Sequence, residues 1–270
     1  MNLIIQESVI LGAGAAAILL QVAEPGVAAG VNEHSNFAER VGDRLRTTMT
    51  YVYCVGFGTP SEKRAIANAV TRVHKHVNGV LNEGERKKKG QRYSALDPEL
   101  QLWVAATLYY TGLDIYQRVF GPIEDEHLHE EIYHEYAVIA ISLQVPPEMW
   151  PRDRRAFLEY WDAKVAQLQV TQHAREVARD LLYLPRAPWY LRVLTPSLRC
   201  LTAELLPPRI REYFGLRSNS FWYHVHMLGL RAVYRWLPLM VRSLPVRYYL
   251  WDMRRRLSCH RPVFHKGIGS

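Results

Sequence analysis

The sequence predicts an all-α protein organised as a single helical domain, and three observations predict it. Apolar residues recur three and four positions apart along the long segments, with few runs of strict alternation, which is the pattern of helices rather than strands. Helix punctuation is clear: Asp97-Pro98-Glu99 joins a capping carboxylate, a proline at the first helical position and an acid in the first turn, and Gly121-Pro122 ends the helix so begun. The 270 residues are 49% hydrophobic and contain no internal repeat or long linker, so residues 1–270 are expected to share one core.

Taken in order, the segment 9–22 is apolar but broken by glycines, too short to span a bilayer, and without the basic leader of a signal peptide. Within it, Gly12-Ala13-Gly14-Ala15-Ala16-Ala17 matches the GxGxxA pattern of dinucleotide sites. Gln6, Glu7 and Ser8 stand where the preceding buried strand should be apolar, so a closely packed small-residue helix is the expected cause. Asn36 with Glu39 is placed to cap a helix running toward Val55, before a break at Gly56-Phe57-Gly58-Thr59-Pro60. Pro60 and Ser61 open the next helix, whose apolar positions Ile66, Val70, Val73 and Val77 keep helical spacing toward an end near Gly79. Residues 82–92 are polar, with two glycines and a basic run, and read as a loop.

The helix begun at Pro98 sets Leu100, Trp103, Thr107 and Leu108 on one side. Further helices are expected over 124–143, 153–167, 171–182, 188–205 and 220–234, the last belonging to a C-terminal helical extension over 217–270.

The net charge of +8 and a pI near 9.4 owe much to basic runs at 86–89, 152–155 and 254–256. Such runs suit anionic partners, but their ordinary reading is solvated faces, and no zinc-finger or RNP-like motif accompanies them. No nucleic-acid partner is expected. Cys54, Cys200 and Cys259 form neither a CxxC pair nor an even framework, which argues against a disulfide scaffold or structural zinc site. These features predict an intracellular protein, cytoplasmic or peripherally attached to a membrane.

Two Glu-x-x-His pairs, Glu124 with His127 and Glu131 with His134, have the spacing used by di-iron bundles. Both fall on one expected helix, however, where a solvated acidic face is the simpler reading. His224 and His226 have no matching partners, and the absence of a GxSxG elbow leaves nucleophilic hydrolysis without support. A different possibility arises at Thr71-Arg72-Val73-His74-Lys75-His76-Val77-Asn78-Gly79. A neutral imidazole on a helix that is apolar on one side can bind haem iron. Periodicity alone does not choose between the two histidines: His76 falls within the stripe of Ala69, Val73 and Val80, and His74 at its edge beside Val70 and Val77.

An ordered set of motifs goes further. Ala28-Ala29-Gly30-Val31-Asn32-Glu33-His34-Ser35 is followed by Arg44 and Thr48 in an Arg-x-x-x-Thr pair, then Phe57-Gly58, then His74, Val77 and Gly79 in a His-x-x-Val-x-Gly motif. Next come Tyr93-Ser94-Ala95-Leu96-Asp97-Pro98-Glu99-Leu100, Trp103-Val104, the stretch 143–145, Trp150-Pro151-Arg152-Asp153 and Leu206-Pro207-Pro208-Arg209-Ile210-Arg211. Over residues 12–216 this order resembles the haem-b oxygenase family of latex-clearing rubber oxygenases and mycophenolic-acid-pathway cleavage enzymes.

The resemblance implies a globin-like helical core holding haem b, with His74 rather than His76 as the proximal iron ligand and O2 as co-substrate. It places Arg44 and Thr48 on the distal side, where an arginine can hold oxygen or a propionate and a threonine hydroxyl can orient an oxygen intermediate. Glu33 is nearest in context to the family's catalytic glutamate. Thr47 takes the position at which some rubber oxygenases carry a distal lysine ligand, which leaves that coordination position open or water-filled. The chain also reads Trp103-Val104-Ala105-Ala106-Thr107 where the family commonly has a histidine. The implied activity is haem-dependent oxidation of a hydrophobic, terpenoid- or polyketide-like small molecule, including cleavage of a carbon–carbon double bond. The alternative, motivated by the basic and aromatic stretch 221–256, is a non-catalytic lipophile-binding or membrane-peripheral accessory protein of the same fold.

Overall fold

The computed structural model describes residues 1–34, 37–81, 92–185, 187–259 and 261–264. Helices dominate it, as the spacing of apolar residues requires. A short α1 (Asn2–Ile5) and a 3-10 segment (Ser8–Ala13) lead into α2 (Gly14–Val22) and α3 (Pro25–His34), then the long α4 (Phe37–Phe57) and α5 (Pro60–His74). After a small β1 (Asn78–Val80) and β2 (Arg92–Ser94) come α6 (Pro98–Phe120), α7 (Glu126–Ser142), α8 (Arg154–Gln167) and α9 (Gln172–Tyr183). The chain ends with α10 (Trp189–Arg192), α11 (Thr195–Leu205), α12 (Pro208–Tyr213), α13 (Ser220–Tyr234), α14 (Leu239–Arg242) and α15 (Leu244–Ser258).

The helix boundaries have local causes. At the end of α4 the Gly58 amide donates to the Cys54 carbonyl at 2.7 Å, and a Cβ on Gly58 would lie 2.5 Å from that same oxygen. Only glycine fits the Phe57-Gly58 turn. Thr59 then caps α5 in a reciprocal box with Glu62, the Glu62 amide donating to Thr59 Oγ1 and the Thr59 amide to Glu62 Oε2. Asp97 accepts from the Glu99 amide at 2.9 Å to open α6, and Gly121 at φ +101° closes it. The Asn36–Glu39 cap and the loop over 82–91 lie outside the described residues.

Two expectations change. The helix drawn toward Gly79 stops at His74, because residues 78–80 pair antiparallel with residues 92–94 instead, in the register Asn78↔Ser94, Gly79↔Tyr93 and Val80↔Arg92. Gly79 allows this, since a Cβ there would meet the Tyr93 phenol oxygen at 2.7 Å. The helix expected over 188–205 is divided into α10 and α11.

The GxGxxA segment forms the 3-10 turn and the start of α2, with Ala15, Ala16 and Ala17 buried and α2 packed against α6 and α9. It is therefore a close-packed helix with no strand before it. One apolar core continues from Ile4 through Trp103 and Tyr136 to Met253. Trp103 is fully buried and donates its indole N–H to the Leu20 carbonyl at 3.0 Å, so the bulky ring brings no unpaired polar group inside. Tyr109 meets Tyr133, Tyr136 and Phe157 edge-on, with centroids 5.4, 5.1 and 4.9 Å away.

The C-terminal helices fasten to this core by a buried charge. Glu7 accepts from Arg242 at 2.9 Å and from the Tyr234 hydroxyl at 3.0 Å, and the Val9 amide donates back to Tyr234. Removing one partner from such a buried pair typically costs about 3–5 kcal/mol, because the other charge is left uncompensated. α15 lies along α4 and buries Val246, Leu250 and Met253. Among the described residues no single helix is long and apolar enough to cross a membrane. Residues 8–22 and 25–33 meet that test only together, across a bend of 105°, and their small residues are packed inside the protein.

Candidate active site

α3, α4, α5, the two-stranded ladder and α6 enclose a cavity of about 320 Å³, within the range of small-molecule sites. Its wall is mostly apolar: Val27 and Val31 from α3, Tyr51 from α4, Val70 and Val73 from α5, Leu100, Val104 and Leu108 from α6, and Val77 and Leu143 nearby. Into this wall the helix end at His74 brings one imidazole. The break after His74 matters here, because it ends α5 at the cavity, with Lys75 and His76 exposed before Val77 rejoins the wall.

His74 lines the cavity, whereas His76 is exposed and stands outside it. Burial, reinforced by the positive charge of Arg44, pulls the His74 imidazole down to about 4, so it is neutral near pH 7. Its Nδ1 is buried and has no hydrogen-bond partner among the described residues. A buried polar nitrogen in this state is one that a group bound from outside the chain could satisfy. Neutral imidazole is also the form that ligates metal.

α4 supplies the opposite character. Arg44, Thr47 and Thr48 all line the cavity, as their spacing on one helix face allows. Burial lowers the Arg44 guanidinium to about 10, which still leaves it charged at neutral pH. Thr47 donates its hydroxyl to the Arg44 carbonyl at 3.0 Å, a bond within the helix, while Thr48 stands toward the open side. The fourth residue expected at the site, Glu33, does not line the cavity. It is exposed on α3 and is joined to the cavity through Tyr93, whose phenol donates to Glu33 Oε2 at 2.5 Å.

Sequence reasoning misses several lining residues, Gln21, Asp43, Arg46, Gln101 and Phe264 among them. Gln101 is 4% exposed; its amide nitrogen donates to the Ala95 carbonyl at 2.9 Å, which leaves Oε1 buried without a partner among the described residues. A polar residue between Leu100 and Trp103, inside an apolar stripe, is the available signal. Gln21 donates to the Thr107 hydroxyl at 2.9 Å. Phe264 reaches the cavity from the far end of the chain, where Arg46 holds the tail through the Val263 carbonyl at 3.2 Å and Asp252 at 3.4 Å.

The Glu-x-x-His residues contribute nothing to this cavity. His134 instead pairs with Glu130 on the same helix at 3.4 Å. No group of three or more His, Cys, Asp or Glu side chains among the described residues is arranged to hold a bare metal ion. A group that brings its own metal ligands needs only one imidazole, and the neutral, orphaned His74, the apolar wall and the Arg44 cation fit haem b.

A helical fold around a mostly apolar cavity, lined also by a neutral imidazole, Arg44, and Arg46 with its neighbour Asp43, defines a small-molecule-binding helical protein. Its family is shown by comparison: the chain belongs to the family described as ER-bound oxygenase mpaB/B'/rubber oxygenase, catalytic domain, whose model matches residues 2–239. It is thus an oxygenase catalytic domain, which uses O2. Uncharacterized proteins of Mycobacterium bovis and Mycobacterium tuberculosis are each 34% identical over 257 residues, covering 92% of this chain and 98% of the relative. No solved structure matches the chain. The family match reaches beyond the residues 12–216 that carried the resemblance, and it ends before α15.

Proposed function

We propose that this protein is a haem-b-dependent oxygenase that oxidises a hydrophobic small molecule in the His74 cavity. The observation that carries the reading is His74 itself: a neutral imidazole on the cavity whose buried Nδ1 has no partner among the described residues, in an apolar wall that also contains Arg44. When bound, haem supplies the redox chemistry that activates O2.

The chain's own residues bind, orient and exclude. His74 would hold the haem iron through its imidazole, and its depressed basicity keeps the ring neutral near pH 7, the form that ligates metal. Arg44 offers a charge-assisted hydrogen bond to an anionic group such as a propionate. The valine and leucine wall excludes water and selects an apolar substrate. Gln101 Oε1 can accept a hydrogen bond from a substrate hydroxyl, and the Tyr93–Glu33 pair holds a proton between a phenol oxygen on the cavity and a carboxylate outside it. Thr48 adds a hydroxyl that can orient a polar group at the open side. The reaction is oxidation of that substrate; where it is cleavage of a carbon–carbon double bond, the two atoms of one O2 become the oxygens of two carbonyl products.

A spectrum of the purified, haem-supplemented protein tests this. The expected result is a Soret band that shifts when CO is added after reduction; absence of any CO-responsive Soret band overturns it. A lipophile carrier of the same fold would fill the same cavity yet take up no haem, so the same spectrum separates the two readings.

A further inference from the structure

The C-terminal helices present an unusual surface. Between Phe214 and Phe264 the sequence has nine arginines and one acid, Asp252. The whole chain has 34 lysines and arginines against 26 acids, so outside this segment the charges balance and the entire excess lies here. Arg242, Arg254 and Arg256 are taken up by Glu7, Glu62 and Asp252. Arg235 and Arg247, in contrast, are exposed and have no carboxylate partner among the described residues, and Arg255 lies over the Trp251 ring at 5.5 Å.

Interleaved with these cations are large apolar groups in water. α13 buries only Met227 and Tyr234, while Phe221, Val225 and Leu228 recur at helical spacing on its outer side, with Leu228 71% exposed. The turn after α13 and the short α14 add further exposed apolar groups: Trp236 in the turn is 88% exposed and Met240 in α14 66%. Isolated exposed apolar residues are ordinary, but a run of them from one helix into the next turn marks an interaction surface.

We infer that this face, from Phe221 to Trp251, docks the protein peripherally on an anionic lipid bilayer. Tryptophan and other large apolar side chains enter the boundary between headgroups and acyl chains, and unpaired arginines meet the headgroup charge. Charge decides against a second copy as the occupant. A two-fold contact would set this arginine-rich face against itself, with Asp252 as the sole acid on each side and already bonded to Arg256. Docking by this surface would hold the oxygenase where lipophilic compounds dissolve, although the inference itself does not depend on which cofactor the cavity holds.

Co-sedimentation of the full chain with vesicles tests it, comparing phosphatidylcholine alone with phosphatidylcholine containing phosphatidylglycerol. Binding is expected to favour the anionic vesicles and to fall as salt is raised. Trp236→Asp combined with Met240→Asp should weaken partitioning by about tenfold or more, and Arg235→Gln combined with Arg247→Gln should remove most of the preference for anionic lipid. Both pairs are exposed, so unchanged melting by circular dichroism shows that the fold is retained. Failure to bind anionic vesicles, binding insensitive to both variant pairs, or a stable dimer by light scattering that the Trp236 and Met240 substitutions dissociate would overturn the inference.

Discussion

The cavity and the C-terminal face reverse the usual placement of side chains in opposite senses. In the cavity, His74, Arg44 and Gln101 hold polar atoms away from water within an apolar wall, two of them with an atom that no described residue satisfies. On the C-terminal face, Leu228, Trp236 and Met240 hold apolar surface in water beside unpaired cations. Folding alone favours neither arrangement, since buried polar atoms and exposed apolar surface both cost free energy relative to the ordinary arrangement. The contrast is the basis of both proposals: a polar-headed or metal-bearing group in the first region, an apolar and anionic surface against the second.

The largest effects should separate core from face at a single residue type. Trp103→Ala removes a fully buried ring and its bond to Leu20, and should cost about 3–5 kcal/mol of stability in urea unfolding. Trp236→Ala should change stability by no more than about 0.5 kcal/mol, because the ring is almost wholly in water. A large loss at Trp236 would mean that its surface serves the fold and not a partner.

A smaller effect should appear in the pH dependence of the cofactor-free protein. His74 is held at about 4, below its ordinary 6.5, so in the interval between these values the unfolded chain binds a proton that the folded chain refuses. Stability should therefore be highest above pH 6.5 and decline as pH falls toward 4, by on the order of 2–3 kcal/mol from this group. Urea unfolding of the wild type and His74→Phe across that interval measures it, the variant losing this part of the slope. The smallest effect concerns Arg44. Arg44→Met should move the His74 titration upward, as read by NMR, but leave it below the ordinary value, because burial is the larger cause and the arginine charge the lesser.

Much of this molecule is legible in the sequence for identifiable reasons. The Asp97-Pro98-Glu99 start and the Gly121 stop bound α6 because capping and positive φ act locally. Family motifs bring Arg44, Thr47, Thr48 and His74 to one cavity from two helices, whereas periodicity does not separate His74 from His76. The α5 terminus escapes the sequence because it depends on a ladder with residues 92–94, a non-local pairing that no helical spacing encodes. Glu33 is expected at the site by resemblance, but it stands at one remove, bonded to Tyr93 in a contact between α3 and β2 that only the folded chain creates. Phe264 has no sequence signal, since Arg46, Asp252 and the Val263 carbonyl draw the tail to the cavity across more than two hundred residues. The α15 helix is legible only as part of a C-terminal extension, its apolar side being shared between a buried edge and an exposed one.

Whether the chain holds haem, and through His74, is decided by retention in His74→Ala and His76→Ala, measured side by side on haem-supplemented protein after desalting. The wild type and His76→Ala should keep haem with a CO-responsive Soret band, while His74→Ala should lose it. Loss confined to His76→Ala, or full retention by His74→Ala with an unchanged spectrum, would show that His74 is not the ligand.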